Sequence, residues 1–399
     1  MKVNRLIVRS LLACIVLTVF GCENDGNMKP SIIGESVTTI RLYGNIESYD
    51  MEDVLLSEFV DSVRFIKLET TEESLIKNIS KVIFIDEGVI IIDEQDGKIL
   101  LFDSEGNYVR RISNKGRGNG EYLSITSSNY DSESGILSIY DGLTGKMLLY
   151  SLTGDFLKEF GVYNGGVSII RDVINLPKGH YLCYNKVEYS KSGDYSGLWE
   201  IDSEGNFVKN VFRYKATIPS INNLLYSYFQ QLPGGVISLR DMMHHDLYHY
   251  DGNNIKRYVS YDVEDNKLLK YKGKSYSEER SVFCLTSQEK GNYIISNWID
   301  ENGQPFFSLY DKDRTENKFI TSFDDSDIEG IWFSKIVDSN VDSFLLIELP
   351  GTYIMSRSKV DTAIRQRRIL DSLRFNLSEE QVVSMNPVLE LLYIKKRIE

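Results

Sequence analysis

Four histidines occur in the 399 residues, and three of them, His244, His245 and His249, cluster beside Asp241 and Asp246. Imidazole with carboxylate is a transition-metal ligand set. On a strand, however, His245 and His249 stand about 13 Å apart, too far to share one zinc. Only a turn at 243–245 brings any of them closer, so surface and strand packing is the reading the spacing favours, and no metal or other cofactor is assigned. A second candidate is the glycine-rich run from Gly116 to Tyr122, Gly-Arg-Gly-Asn-Gly-Glu-Tyr. Backbone N–H groups in such loops can cradle anions. The run lacks the Gly-Lys-Ser/Thr ending of a P-loop and its flanks read as hairpin strands. It is therefore expected to be a tight connecting turn, with Arg117, Glu121 and Tyr122 as rim contacts for a partner.

Nucleophilic chemistry finds no support. There is no Gly-x-Ser-x-Gly elbow, and no histidine has an evident serine or cysteine partner. Acid pairs such as Glu72-Glu73 and Asp324-Asp325 fall in turn-like contexts. The aromatic stretch Tyr226-Ser-Tyr-Phe229 can stack on a sugar, but core packing accounts for it equally well. A net charge of −13 argues against nucleic acid as a partner, because phosphate binding needs clustered cations.

The elements that would position these residues are strands. A block reading Gly88-Val-Ile-Ile-Ile-Asp93, Gly97-Lys-Ile-Leu-Leu-Phe-Asp103 and Gly106-Asn-Tyr-Val-Arg-Arg-Ile112 is repeated 47 residues on. The second copy reads Gly135-Ile-Leu-Ser-Ile-Tyr-Asp141, Gly145-Lys-Met-Leu-Leu-Tyr150 and Gly154-Asp-Phe-Leu-Lys-Glu-Phe160. A third partial copy spans Leu198 to Phe212, so that Asp-Ser-Glu-Gly-Asn stands at both 103–107 and 202–206. Short β-branched and aromatic runs bounded by glycine turns make antiparallel meanders, and a period of 40–50 residues with about four strands per unit marks a propeller blade. Weaker versions at Gly235–Tyr258, Gly291–Phe323 and Ile331–Pro350 bring the count to six. The expected fold is all-β, a six-bladed β-propeller of four-stranded antiparallel blades. The N-terminal strand candidates Val37–Tyr43 and Val63–Glu69 are expected to close the ring by completing the blade that contains Leu389–Ile394. Lys359–Leu373 and the capping box at Ser378–Gln381 read as a short helical insertion in that last blade.

The N-terminus is an address. Lys2, Arg5 and Arg9 precede an apolar run of ten residues, Leu11 to Phe20, about half the length a membrane span needs. Gly21-Cys22 follows, then a polar stretch with Glu23 and Asp25. This resembles a bacterial lipobox, which implies that residues 1–21 are a signal peptide, that Cys22 is acylated and that 22–35 form a tether to a propeller over 36–399. The acidic residues after the cysteine resemble a surface-export signal, leaving periplasm-facing and cell-surface placements at the outer membrane both open. Cys183 and Cys284 then remain in the fold, expected as two separate buried thiols in different blades.

The chain as a whole resembles the six-bladed β-propeller lipoproteins of Bacteroidetes, distant relations of NHL-repeat propellers. The likeness rests on Val63–Thr70 as entry strand, Lys98–Gly106 as third blade strand, Gly116–Tyr122 as interblade loop, with Asn119 where proline is usual, and Asn386–Leu389 as closing strand. It implies a fold and no settled activity. The expected function is a non-catalytic binding or scaffold module for a protein or glycan at the cell envelope. The alternative is a lactonase- or hydrolase-like propeller enzyme with an acidic or metal-bearing central channel.

Overall fold

Apolar runs such as Gly88–Asp93 and Phe344–Leu349 are buried along their whole length, without the alternation of a sheet that has one wet face. The computed structural model, which describes residues 37–43, 45–163, 170–188, 195–215, 228–240, 246–263, 282–300, 302–325, 335–358, 371–373 and 377–396, gives the reason. The chain is an all-β, propeller-like assembly of antiparallel meanders stacked in sequence order, each covered on both faces by its neighbours.

The first meander is Lys81–Ile85, Gly88–Asp93, Lys98–Asp103 and Tyr108–Ser113. The second runs from Ser127–Asp131 to Phe156–Gly161 and the third from Asp172–Asn175 to Phe207–Lys215. The fourth comprises Phe229–Gln231, Ile237–Arg240, Leu247–Tyr250 and Ile255–Val263, and the fifth runs from Val282–Lys290 to Glu316–Ile320. A closing meander pairs Ile336–Ser339, Phe344–Leu349 and Val388–Ile394 with Val60–Lys67 from the N-terminal side. It joins the first meander in one eight-stranded sheet through a short parallel ladder, Asp338 to Lys81 and Ser339 to Val82.

Packing follows strand alternation. In the second strand of the first meander, Val89 and Ile91 enter a cluster shared with Leu346 and Leu389 of the closing meander. Ile90 and Ile92 enter another, shared with Leu137 and Leu148 of the second meander. The same sharing recurs between the second and third, third and fourth, fourth and fifth, and fifth and closing meanders. Each fully buried Ile or Leu contributes about 1.5–3 kcal/mol, so the sheet-to-sheet interfaces are the core.

The repeated turns explain the sequence repeat. Asp103 Oδ1 accepts from the Glu105 and Asn107 amides, and Asp202 Oδ1 accepts from Glu204 and Asn206 in the same way. Gly106 and Gly205 hold φ of +90° and +85°, and a Cβ there would run into the Lys67 and Gly161 carbonyls of the preceding meander. A basic side chain on each preceding outer strand clasps the turn. Arg64 donates to the Ser104 carbonyl at 2.8 Å, Arg110 to Thr153 at 3.3 Å, Lys158 to Ser203 at 3.1 Å and Lys209 to Gly252 at 3.1 Å.

Of the two N-terminal strand candidates, Val63–Glu69 lies where the sequence places it, overlapping the strand Val60–Lys67 on the closing meander. Val37–Tyr43 does not. Thr38–Leu42 pairs in parallel with Ile255–Val263 and shields the outer edge of the fourth meander. Leu42, fully buried with Val259, Tyr261 and Trp298, fixes it there. The segment then passes over the fifth meander, where the Ile46 amide donates to Asp300 Oδ2 at 3.1 Å and Val54–Leu55 pairs with Phe323–Asp324. The insertion in the closing meander holds helices Gly351–Ser358 and Glu379–Ser384, the second capped by Ser378 and Gln381 in the reciprocal pattern read from sequence. Most of the 359–373 helical reading lies outside the described residues. Among the described residues, no helix is long and apolar enough to cross a membrane.

Candidate functional site

The first strands of consecutive meanders are tied to one another in order by polar side chains. Lys81 Nζ donates to the Ser128 carbonyl at 3.0 Å, Ser127 Oγ donates to Asp172 Oδ1 at 2.7 Å, and Asn129 Nδ2 donates to the Val173 carbonyl at 2.6 Å. Asp172 Oδ2 accepts the Tyr228 and Phe229 amides at 2.8 and 3.2 Å. Gln230 holds the Glu289 backbone at both its amide (2.8 Å) and its carbonyl (2.5 Å). Gln288 Nε2 donates to the Val337 carbonyl at 2.9 Å, Lys290 Nζ to Ser339 Oγ at 3.0 Å, and Lys81 faces Asp338 at 3.6 Å. This belt returns to the residue it started from.

Inside it lies a cavity of about 370 Å³, within the range of small-molecule sites. Its wall comes from the first strands of the fourth, fifth and closing meanders, from Ser238, Arg240 and Leu247 on the second and third strands of the fourth, from Asn297 on the second strand of the fifth, and from Ile79 and Ser80 ahead of the first. Phe229, Leu247, Leu285, Ile336 and Val337 make it partly apolar. The rest is polar, and it is where unmet hydrogen-bonding groups collect. Tyr228 Oη, Thr286 Oγ1, Gln288 Oε1, Asn297 Oδ1 and Arg240 Nε, Nη1 and Nη2 are all buried and lack a hydrogen-bond partner among the described residues. The residues that carry these atoms line the cavity, while the atoms themselves are shielded and reach it only when their side chains turn; native interiors leave few such groups.

The charges around the cavity are paired, with one exception. Glu289 accepts from Ser238 Oγ at 2.5 Å, meets His249 Nε2 at 2.8 Å and faces Lys312 at 3.8 Å. Although its burial pushes the carboxyl up, these partners hold it below the usual range. Lys335 pairs with Glu348 at 2.6 Å and Asp338 with Lys81. Arg240, 4% exposed, forms no ion pair among the described residues and stacks on Trp298 with its guanidinium carbon 5.3 Å from the ring centroid. Glu94, whose amide donates to Ser80 Oγ at 3.3 Å, is raised by burial to about 8, helped by the charges of Asp172 and Asp338 and opposed by Lys81. Burial likewise raises the carboxyl of Asp172 and pulls Lys290 down to about 8.

The residues singled out from sequence lie elsewhere or serve the fold. In the glycine-rich turn the Gly116 amide donates to the Tyr122 carbonyl at 2.9 Å and Glu121 accepts the Gly118 amide at 2.7 Å. Tyr122 is 0% exposed, packed between the first and second meanders with its hydroxyl donated to the Gly97 carbonyl at 3.0 Å. Arg117 is exposed. His249 stacks on Tyr258 at 4.1 Å, and Asp246 accepts from Ser260 Oγ and the Tyr261 amide, so the two are engaged separately. Asp241, His244 and His245 lie outside the described residues, as does Cys22. Cys183 and Cys284 are free buried thiols in the third and fifth meanders. Tyr228 and Phe229, from the aromatic stretch, do reach the cavity wall. Arg240, Thr286, Gln288 and Asn297 carry no sequence signal of their own.

Over residues 37–392 the chain matches the family described as "Domain of unknown function (DUF4934)". No curated protein matches it in sequence. Among solved structures it is similar to an exported protein, so designated, of Bacteroides fragilis NCTC 9343, at TM-score 0.70 and 17% identity, covering 90% of this chain and 100% of that one. A member of the DUF4221 family from Bacteroides vulgatus superposes at TM-score 0.51 and 10% identity, covering 85% and 98%. At these identities the likeness is one of fold.

Proposed function

We propose that this chain, which belongs to the DUF4934 family, is an exported six-bladed propeller that captures a ligand in its central cavity and does not turn it over. Six blades follow if the eight-stranded sheet is divided at its short parallel ladder, leaving a four-stranded blade on each side. Six hydrophobic clusters, each shared by two consecutive meanders, support that division. The N-terminal pattern and the exported character of the Bacteroides fragilis protein support export, with residues 1–21 removed, Cys22 acylated at the outer membrane and 22–35 as tether. The observation that carries the binding reading is the cavity wall, mixed apolar and polar, whose residues include several with buried polar atoms unpartnered among the described residues. A glycan, or a glycan-bearing protein, is the partner this wall suits, with exposed Arg117 as a rim contact for the rest of it in this reading.

A second reading has one specific observation behind it. Glu94, raised to about 8, could donate a proton at neutral pH, as in a propeller hydrolase. The neighbouring carboxylates are committed, Asp172 to Ser127 and two backbone amides and Asp338 to Lys81. Binding is therefore favoured. A glycan array probed with the purified full chain tests this: saturable binding to one glycan class, with the glycan recovered intact, is the expected result. Shortened glycan recovered after incubation, lost in Glu94→Gln, would establish the enzyme instead.

A further inference from the structure

We propose that Arg240 is the anchor of the cavity, and that the ligand is a sugar carrying one negative charge, held by that charge against the guanidinium. The proposal rests on the binding reading above and narrows it. A buried guanidinium cannot shed its proton, and leaving it without a counter-ion costs more than almost any other buried group. The described residues offer it none. The Cys284 thiol beside it is pushed up to about 12 by burial, even against the Arg240 charge, and so stays neutral. Trp298 supports the cation from one side, but its indole N–H is given to Ser308 Oγ at 3.0 Å.

Charge and chemistry then define the occupant. Every other charged residue on the wall, Glu289, Lys335 and Asp338, has its opposite within 4 Å, so among the described residues a single positive charge is left over. That balance suits a carboxylate or a sulfate monoester and disfavours a phosphate dianion. A planar carboxylate also matches the guanidinium fork with two parallel hydrogen bonds. The remaining atoms of wall residues without a hydrogen-bond partner among the described residues are both donors, Tyr228 Oη and Thr286 Oγ1, and acceptors, Gln288 Oε1, Asn297 Oδ1 and Glu289 Oε2, the last with Lys312 at 3.8 Å. Hydroxyl groups satisfy both kinds, and apolar Phe229 and Leu285 suit the C–H face of a pyranose. All three guanidinium nitrogens are shielded from water, so the long side chain must turn off Trp298 into the cavity to meet the ligand.

The test is calorimetric titration of the full chain with D-galacturonate and N-acetylneuraminate, against methyl galacturonate and galactose as neutral partners and galactose 6-sulfate and 6-phosphate as alternative anions. At least one of the two carboxylates is expected to bind, its neutral counterpart at least tenfold more weakly, and the phosphate more weakly than the sulfate. Arg240→Met should weaken the carboxylate by about 50-fold and Arg240→Lys by less. Because Arg240→Met removes an uncompensated buried charge, the ligand-free variant should melt no lower than the wild type, which a purely structural arginine would not allow. Neutral sugars bound as tightly as acids would overturn the charge assignment while keeping the binding reading. Failure of every anion to bind, together with a lower melting point for Arg240→Met, would make the arginine structural and overturn the proposal.

Discussion

The guanidinium carbon of Arg240 stands 5.3 Å from the ring centroid of Trp298, and both residues are buried between the fourth and fifth meanders. Drawing the cation off the indole changes the electrostatic field at that ring. Binding of a charged sugar should therefore shift or quench tryptophan emission in the wild type. The change should disappear in Trp298→Phe and persist in Trp199→Phe; an unchanged signal in Trp298→Phe would place the ligand away from this pair.

Ring closure depends on Asn386. Its Oδ1 accepts the Ile76 amide at 2.8 Å, and its Nδ2 donates to the Glu69 and Ser74 carbonyls at 2.8 and 2.9 Å, across more than 300 residues of sequence. The side chain is 1% exposed, so Asn386→Ala strands three polar groups in the interior. Urea unfolding should register a loss of about 3 kcal/mol, with the slope of the transition preserved. A loss below about 1 kcal/mol would mean that the closing contacts do little for stability.

The turn glycines separate strain from collision. Gly205→Ala meets both a left-handed φ of +85° and the Gly161 carbonyl, whereas Gly145→Ala has φ of +68° and open space around its Cβ. Gly145→Ala should cost about 1 kcal/mol, the ordinary penalty of that conformation, and Gly205→Ala at least twice as much. Equal costs would show that the turn does not press on the preceding meander.

Stability should depend on pH in two opposite windows. Glu94 is raised from 4.5 to about 8, so between those values the folded state binds more protons than the unfolded one and stability falls as pH rises. Lys290 is lowered from 10.5 to about 8, so above pH 8 the unfolded state binds more protons and stability rises again toward pH 10.5. Glu94→Gln should flatten the first slope, and the variant should exceed the wild type at pH 8 by about 1–2 kcal/mol. Melting curves from pH 5 to 10 check both signs.

Acylation at Cys22 predicts that a fatty-acid probe fed to the producing cell labels the wild type. Cys22→Ser should abolish labelling and release the protein from the membrane fraction, while labelling retained in Cys22→Ser would place the lipid elsewhere.

Much of this architecture was legible in the chain because repeated units repeat their turn chemistry. Asp-Ser-Glu-Gly-Asn announces a turn that its own aspartate and glycine build, and uninterrupted runs such as Gly88–Asp93 announce strands covered on both sides. Thr38–Leu42 was misplaced since a strand's pattern says that it will pair, and only packing, here of Leu42 beside Val259 and Trp298, says with what. Likewise, Glu121 and Tyr122 drew attention as loop residues, but their partners lie within the turn and across an interblade core. The cavity was illegible for the opposite reason. Arg240, Thr286 and Asn297 sit in unremarkable strands, and they become a candidate site only because neighbouring meanders bring them to the wall of one cavity.

The most direct test is a crystal structure of the full chain grown with D-galacturonate. A carboxylate paired with the Arg240 guanidinium at hydrogen-bond distance, and sugar hydroxyls on Tyr228, Thr286 or Asn297, is the predicted result. An Arg240 bonded only to protein or water, with the cavity holding no sugar at saturating ligand, would contradict the account.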